Sequence, residues 1–171
     1  MSRHKILVLY VYHQLTEAVS CFLRQAIYKD KYVDWLVIAN GSKKAELPEY
    51  VSFLARSNRG HDFGGWSDGL LSEARAEKYD RYVFLNATVS GPYLSGNPRW
   101  VEDFTRHLTN DLWLYGSTIN CHPWGCKDAG GAHVQSYAFC LSRDCLRLLM
   151  SAKIFTQNSA NMSRREVIKN K

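Results

Sequence analysis

The sequence predicts an α/β fold with a mainly parallel sheet flanked by helices, and three observations predict it. Short apolar runs recur along the chain, helical stripes fall between them, and polar or glycine-rich turns close the runs. Strands that alternate with helices are joined by crossovers, which makes neighbouring strands parallel. The 171 residues suit a single domain, and 46% apolar with 22% charged residues is the balance of a globular core.

Lys5–Tyr12 (KILVLYVY) is almost continuously apolar, as a strand buried on both faces is. Leu15, Ala18, Val19, Phe22, Leu23, Ala26 and Ile27 follow at helical spacing and form one stripe. Asp34–Ala39 reads as a second strand closed by Asn40-Gly41, and Val51–Ala55 as a short third. A glycine-rich segment then opens a helix carrying Trp66, Leu70, Leu71 and Ala74. Arg81–Leu85 is the fourth strand, and Ser90-Gly91-Pro92 breaks the chain after it. Trp100, Val101, Phe104 and Leu108 make a further helical stripe. Asp111–Tyr115 and Ser136–Leu141 complete the strands, with Ser142 at the N-cap of a last helix bearing Leu146, Leu149 and Met150.

The net charge of +6 is unevenly placed. From Arg143 to Lys171 seven Lys/Arg face Asp144 and Glu166, so +5 falls in the last 29 residues. A nucleic-acid binder spreads its basic groups over the docking face. The excess at one end reads instead as a solvated tail. Trp35, Tyr82, Trp100, Trp113 and Tyr115 fall in the predicted strands and stripes and are assigned to the core, not to base stacking. No nucleic-acid partner is expected.

No apolar run approaches the roughly 20 residues of a membrane helix, and Ile6–Tyr12 is too short for a secretory signal. A cytoplasmic protein without an integral membrane segment is expected. The five cysteines, an odd number, agree with that. Cys21, Cys140 and Cys145 sit among apolar neighbours and read as core. Cys121 and Cys126, with His122 and His133 near them, depart from ordinary zinc spacing, so no metal site is assigned.

Ligands of such sheets bind outside the carboxyl ends of the strands. Tyr12-His13, Asn40-Gly41, the segment Ser57–Asp68, Asn86-Ala87-Thr88 and the stretch Asn120–Gln135 all fall there. The segment from Ser57 to Gly69 (SNRGHDFGGWSDG) is a glycine-rich turn opening a helix. Its N–H groups suit a diphosphate, Arg59 can add a bidentate contact, and Asp62 and Asp68 can accept from hydroxyls. Equally, Gly64 and Gly65 could serve tight packing, with Asp68 solvated. Asn86 and Thr88 present short polar groups at the edge, or only end the strand. His133, before the last strand, is a candidate base or donor.

Three segments in order carry a resemblance: Arg59–Leu70 (RGHDFGGWSDGL), Val83–Pro92 (VFLNATVSGP) and His133–Tyr137 (HVQSY). Together they resemble the rhamnan-synthesis F-type glycosyltransferases, over roughly Lys5 to Phe155. The resemblance implies a GT-A-type, Rossmann-like nucleotide-sugar domain over residues 1–155 and a basic tail, 156–171, at a truncated end. It implies transfer of a sugar, such as rhamnose or another deoxyhexose, from a nucleotide-diphosphate donor to a glycan acceptor in polysaccharide biosynthesis. By position Tyr12, His13, Asn40, Arg59, Asp62, Gly64, Gly65 and Asp68 would line the nucleotide half. Asn86 and Thr88 would stand in place of the Asp-x-Asp metal motif, and His133 and Gln135 would face the sugar or acceptor. Asp128, His133 and Glu166 are the candidate acid/base residues.

This chain has Asn86-Ala87-Thr88 where the family pattern is Asn-Asp-Ser, and so lacks the carboxylate. Mn2+ or Mg2+, which prefer charged oxygen ligands, would then rely on the donor diphosphate. The alternative is a nucleotide-sugar-binding module that has lost turnover.

Overall fold

In the computed structural model, which describes residues 3–41, 43–92, 99–121 and 132–156, all seven residues of β1 (Ile6–Tyr12) are buried. Successive strand residues point to opposite faces, and β1 divides its side chains accordingly. Ile6, Val8, Tyr10 and Tyr12 enter one apolar cluster, and Leu7, Leu9 and Val11 enter another. A strand with no polar face needs a covering layer on each side of its sheet.

Those layers come from the crossovers. Helix α1 (Glu17–Ala26) follows β1, capped by Thr16, whose Oγ1 accepts from the Val19 N–H. It brings Val19, Phe22, Leu23 and Ala26 to the first cluster. β2 (Val33–Asn40) and β3 (Ser52–Arg56) lead to α2 (His61–Leu71), which places Trp66 and Leu70 in the second cluster. β4 (Arg81–Asn86) precedes α3 (Trp100–Thr105), whose Trp100 and Val101 return to the first. β5 (Leu114–Gly116), β6 (Ile119–Asn120), β7 (His133–Val134) and β8 (Ala138–Ser142) follow. Helix α4 (Arg143–Ser151) adds Cys145 and Leu146 to the second cluster. Each fully buried large side chain contributes about 1.5–3 kcal/mol.

Among the described residues the main sheet has six strands in the order β3-β2-β1-β4-β8-β5. β3, β2, β1 and β4 are mutually parallel. β8 runs against both neighbours, so Leu85 near the end of β4 pairs with Ala138 at the start of β8. The mixed α/β architecture and the mainly parallel sheet are those expected. The reversal of β8 brings its entrance, and hence residues 133–137, to the edge where β1, β2 and β4 end. A two-stranded ladder of β6 and β7 stands at that edge, outside the expected strands.

Two expectations need correction. Asp111–Tyr115 is not one strand: β5 starts at Leu114, and Leu112 and Trp113 are each 44% exposed. Thr109 Oγ1 accepts from the N–H groups of Asp111 and Leu112 and bends the chain into a turn, so Trp113 lies outside the core. Helix α2 also stops before Ala74, because Glu73 and Ala74 adopt positive φ values of 54° and 52° in a 3-10 segment, Ser72–Glu77. Arg143 and Arg147, counted with the basic end, belong to α4 and pair with Asp80 and Glu77. Ser142 caps α4 as expected, its Oγ accepting from the Cys145 N–H.

Cys140 and Cys145 are buried, Cys21 is partly exposed and Cys121 is exposed. Burial pushes the Cys140 thiol up to about 12, where almost no thiolate forms near neutral pH. Alkylation of the native protein at mildly alkaline pH is expected to modify Cys121 and spare Cys140 until denaturant is added. Mass mapping that finds Cys140 labelled as fast as Cys121 would contradict this packing.

Candidate functional site

The parallel strands β1, β2 and β4 end at one edge, where the start of α2 meets them. Gly60, the N-cap of α2, has a left-handed backbone (φ 67°), and its carbonyl accepts from the Gly64 N–H at 2.8 Å. No side chain caps this helix. Its first N–H groups and the positive end of its dipole therefore face the edge, with Asp62 the acidic residue of the first turn. Arg59 is exposed beside it, with no ion pair among the described residues.

Helix α2 approaches β1 and β2 closely at its glycines, while Trp66 and Leu70 fill the space beside them. A Cβ on Gly64 would stand 2.2 Å from the Arg59 carbonyl oxygen, and one on Gly65 would stand 2.8 Å from Val11 Cγ2. Gly69 meets Ile38 and Leu36 in the same way, at 2.9 Å each. Of the two readings open for Gly64 and Gly65, the structure shows the packing one.

Arg56, the last residue of β3, holds this arrangement and was not among the residues singled out from sequence. Its side chain is 8% exposed. Nε donates to Asp68 Oδ2 at 2.5 Å, Nη1 to Asn40 Oδ1 at 2.7 Å and Nη2 to the Arg59 carbonyl at 2.8 Å. One guanidinium thus joins β3, β2, the turn and α2. Asp68 is ion-paired to it and only partly exposed. Asn40 is buried, donates from Nδ2 to the His61 carbonyl, and accepts at its own carbonyl from His13 Nδ1 at 2.7 Å. Tyr12 is also buried. Its hydroxyl donates to the Lys43 carbonyl and accepts from the Ala45 N–H, anchoring the loop after β2.

Asp62 and Asn86 meet across the edge. Asn86 Nδ2 donates to Asp62 Oδ2 at 2.9 Å, while Asn86 Oδ1 accepts from Thr88 N–H and Oγ1 at 3.0 and 2.6 Å. The strand end thus forms a closed polar turn, and the carboxylate beside it is supplied by α2. Among the described residues no three His, Cys, Asp or Glu side chains converge on one point. A hard cation takes several charged oxygens, and one carboxylate with a neutral amide and hydroxyl does not fit that need. No metal step is derived from these residues.

Two cavities flank this line. One, of about 240 Å3, is lined by Phe63 of α2, by His133, Gln135 and Ser136, and by Phe139 and Phe155. The other, of about 410 Å3 on the opposite sheet face, is lined by Thr88, Ser90, Ser117, Tyr137 and the rings of Trp100 and Phe104. Hydrogen bonds from Ser117 and Thr118 lower the pKa of the Tyr137 hydroxyl. His133 and Gln135 are therefore next to α2, while Thr88 faces the other cavity. Asp128 and Glu166 lie outside the described residues.

The chain is an α/β protein with a mainly parallel sheet, and its polar groups gather beyond the carboxyl ends of the parallel strands, where ligands of such sheets bind. The chain matches the RgpF family, rhamnan synthesis protein F, over residues 37–170 and belongs to it. That membership ties the protein to the synthesis of rhamnan and related polysaccharides. No curated protein matches the chain. No helix among the described residues is long and apolar enough to cross a membrane.

Arg56→Lys is expected to destabilise the fold by about 2–3 kcal/mol, between the values for exposed and buried pairs, because an ammonium cannot serve three divergent acceptors. Gly64→Ala is expected to destabilise as well, since about 1–3 kcal/mol of overpacking against backbone exceeds the roughly 1 kcal/mol of helix propensity gained. Urea unfolding checks both. A variant as stable as the parent would remove that residue from the account of how α2 is seated.

Proposed function

We propose that the protein binds a nucleotide-diphosphate sugar at this edge and transfers the sugar to a glycan acceptor. The observation that carries the reading is the open N-terminus of α2 with the free Arg59 beside it and the Asp62 carboxylate fixed by Asn86. The diphosphate lies against the helix N–H groups and Arg59, which offset its charge as it leaves. Asp62 has acceptor capacity left for a ribose or sugar hydroxyl. The sugar enters the cavity of His133 and Gln135.

Transfer breaks the bond from the anomeric carbon to the diphosphate oxygen, whose electron pair leaves with the diphosphate. The acceptor hydroxyl forms the new bond, and its proton passes to a base. His133 is that base among the described residues, with Asp128 and Glu166 as the other candidates. A second reading, binding without turnover, is favoured by one observation: Asn86 and Thr88 occupy the strand end with no carboxylate of their own. Cytoplasmic residence and a deoxyhexose such as rhamnose as the sugar belong to the same proposal.

A ligand bound only by the native state raises the melting temperature. Among dTDP-, UDP- and GDP-sugars, one nucleotide is expected to shift the melting temperature selectively, with or without Mn2+. Asp62→Ala is expected to weaken that binding by about 1–3 kcal/mol. Absence of a shift with every nucleotide sugar would overturn the donor site, and an unchanged affinity in the folded variant would take Asp62 out of it. Release of nucleoside diphosphate in the presence of acceptor separates transfer from binding alone.

A further inference from the structure

At the opposite edge of the sheet, where β1 and β4 begin, lies a cleft of about 540 Å3. The turn before β5 forms one wall. Trp113 stands on it 44% exposed, and its Nε1 donates to the Asn110 carbonyl at 2.7 Å, which fixes the indole against its own loop. The loop is itself held: the Thr109 N–H donates to the Leu112 carbonyl, and the Ser142 N–H to the Trp113 carbonyl. An exposed indole held at both ring and backbone is a preformed flat surface. Its negative face attracts the weakly positive C–H groups of a sugar ring.

The other wall carries hydrogen-bonding groups of both kinds. Arg81 donates to the carbonyls of Thr105 and Leu108, and Arg143 to the Tyr79 carbonyl and Asp80. Arg147 pairs with Glu77 and lies 3.8 Å from Asp144, whose carboxylate is 73% exposed. The guanidiniums are thus positioned and partly neutralised, and each keeps N–H groups to donate. A polyanion finds carboxylates in its way here. A polyol finds donors and acceptors side by side, with an aromatic floor.

We propose that this cleft binds a neutral saccharide, as a subsite separate from the edge that holds α2. The two sites are separated by the length of β4, about 20 Å for six residues. The subsite stands whether or not the strand-end edge transfers sugar, and polysaccharide synthesis supplies chains long enough to reach it.

The test is titration calorimetry and saturation-transfer NMR on the full chain. The probes are rhamnan and glucan hexasaccharides, a heparin hexasaccharide and a thymidine dodecanucleotide. A neutral hexasaccharide is expected to bind, about tenfold more weakly to Trp113→Ala and with little change to Trp113→Tyr, which keeps an aromatic face. Asp62→Ala should leave this binding unchanged, and Trp113→Ala should leave the nucleotide-sugar melting shift unchanged, so that either site can fail alone. Failure of both neutral probes to bind, equal affinity in Trp113→Ala, or preference for either polyanion would overturn the proposal.

Discussion

A strand buried on both faces admits no solvent layer, and β1 is such a strand from end to end. The constraint propagates outward. Its neighbours β2 and β4 are parallel to it, so each connection has to cross the sheet, and the crossing segments supply the helices that cover the two faces. The same crossings bring the turns that follow β1, β2, β3 and β4 to one edge. The polar residues after β1, β2, β3 and β4 therefore meet without any of them having been neighbours in sequence.

What they form there is organised by one cation. Arg56 satisfies acceptors on three segments, and its guanidinium is the planar fork that such divergent acceptors need. Among the groups left facing outward are the first N–H groups of α2, Arg59, and the Asp62 carboxylate steadied by Asn86. Family membership says nothing by itself about which side chains are already spent on each other; the hydrogen bonds of this edge do.

Periodicity made most of this fold legible in the sequence. Alternation and continuous apolar runs located β1, β2, β3, β4 and β8, and the stripes located the four helices, because burial imposes those patterns directly. Side-chain hydrogen bonding was not legible. Trp113 looked like core within an apolar run, yet Thr109 bends the chain just before it. Arg56 went unremarked although it follows the expected third strand, Val51–Ala55, directly, as Asn40 and Asn86 follow theirs. Asn40, Tyr12 and Asp68 stood at the right edge in the sequence, but only distances show that their polar atoms are turned to protein partners.

The glycine face of α2 also bears on how fast a ligand could be captured. With Gly65 and Gly69 against the strands and Trp66 and Leu70 fully buried beside them, the helix and the strands beneath it move as one body. The ordering of that wall was completed when the chain folded, so an arriving ligand meets a surface that has little entropy left to lose there. Encounter, not rearrangement of α2, would then set the association rate, which for preformed surfaces falls around 10⁵–10⁷ M⁻¹s⁻¹. Differences in affinity between competing ligands would accordingly be expressed in how long each one stays.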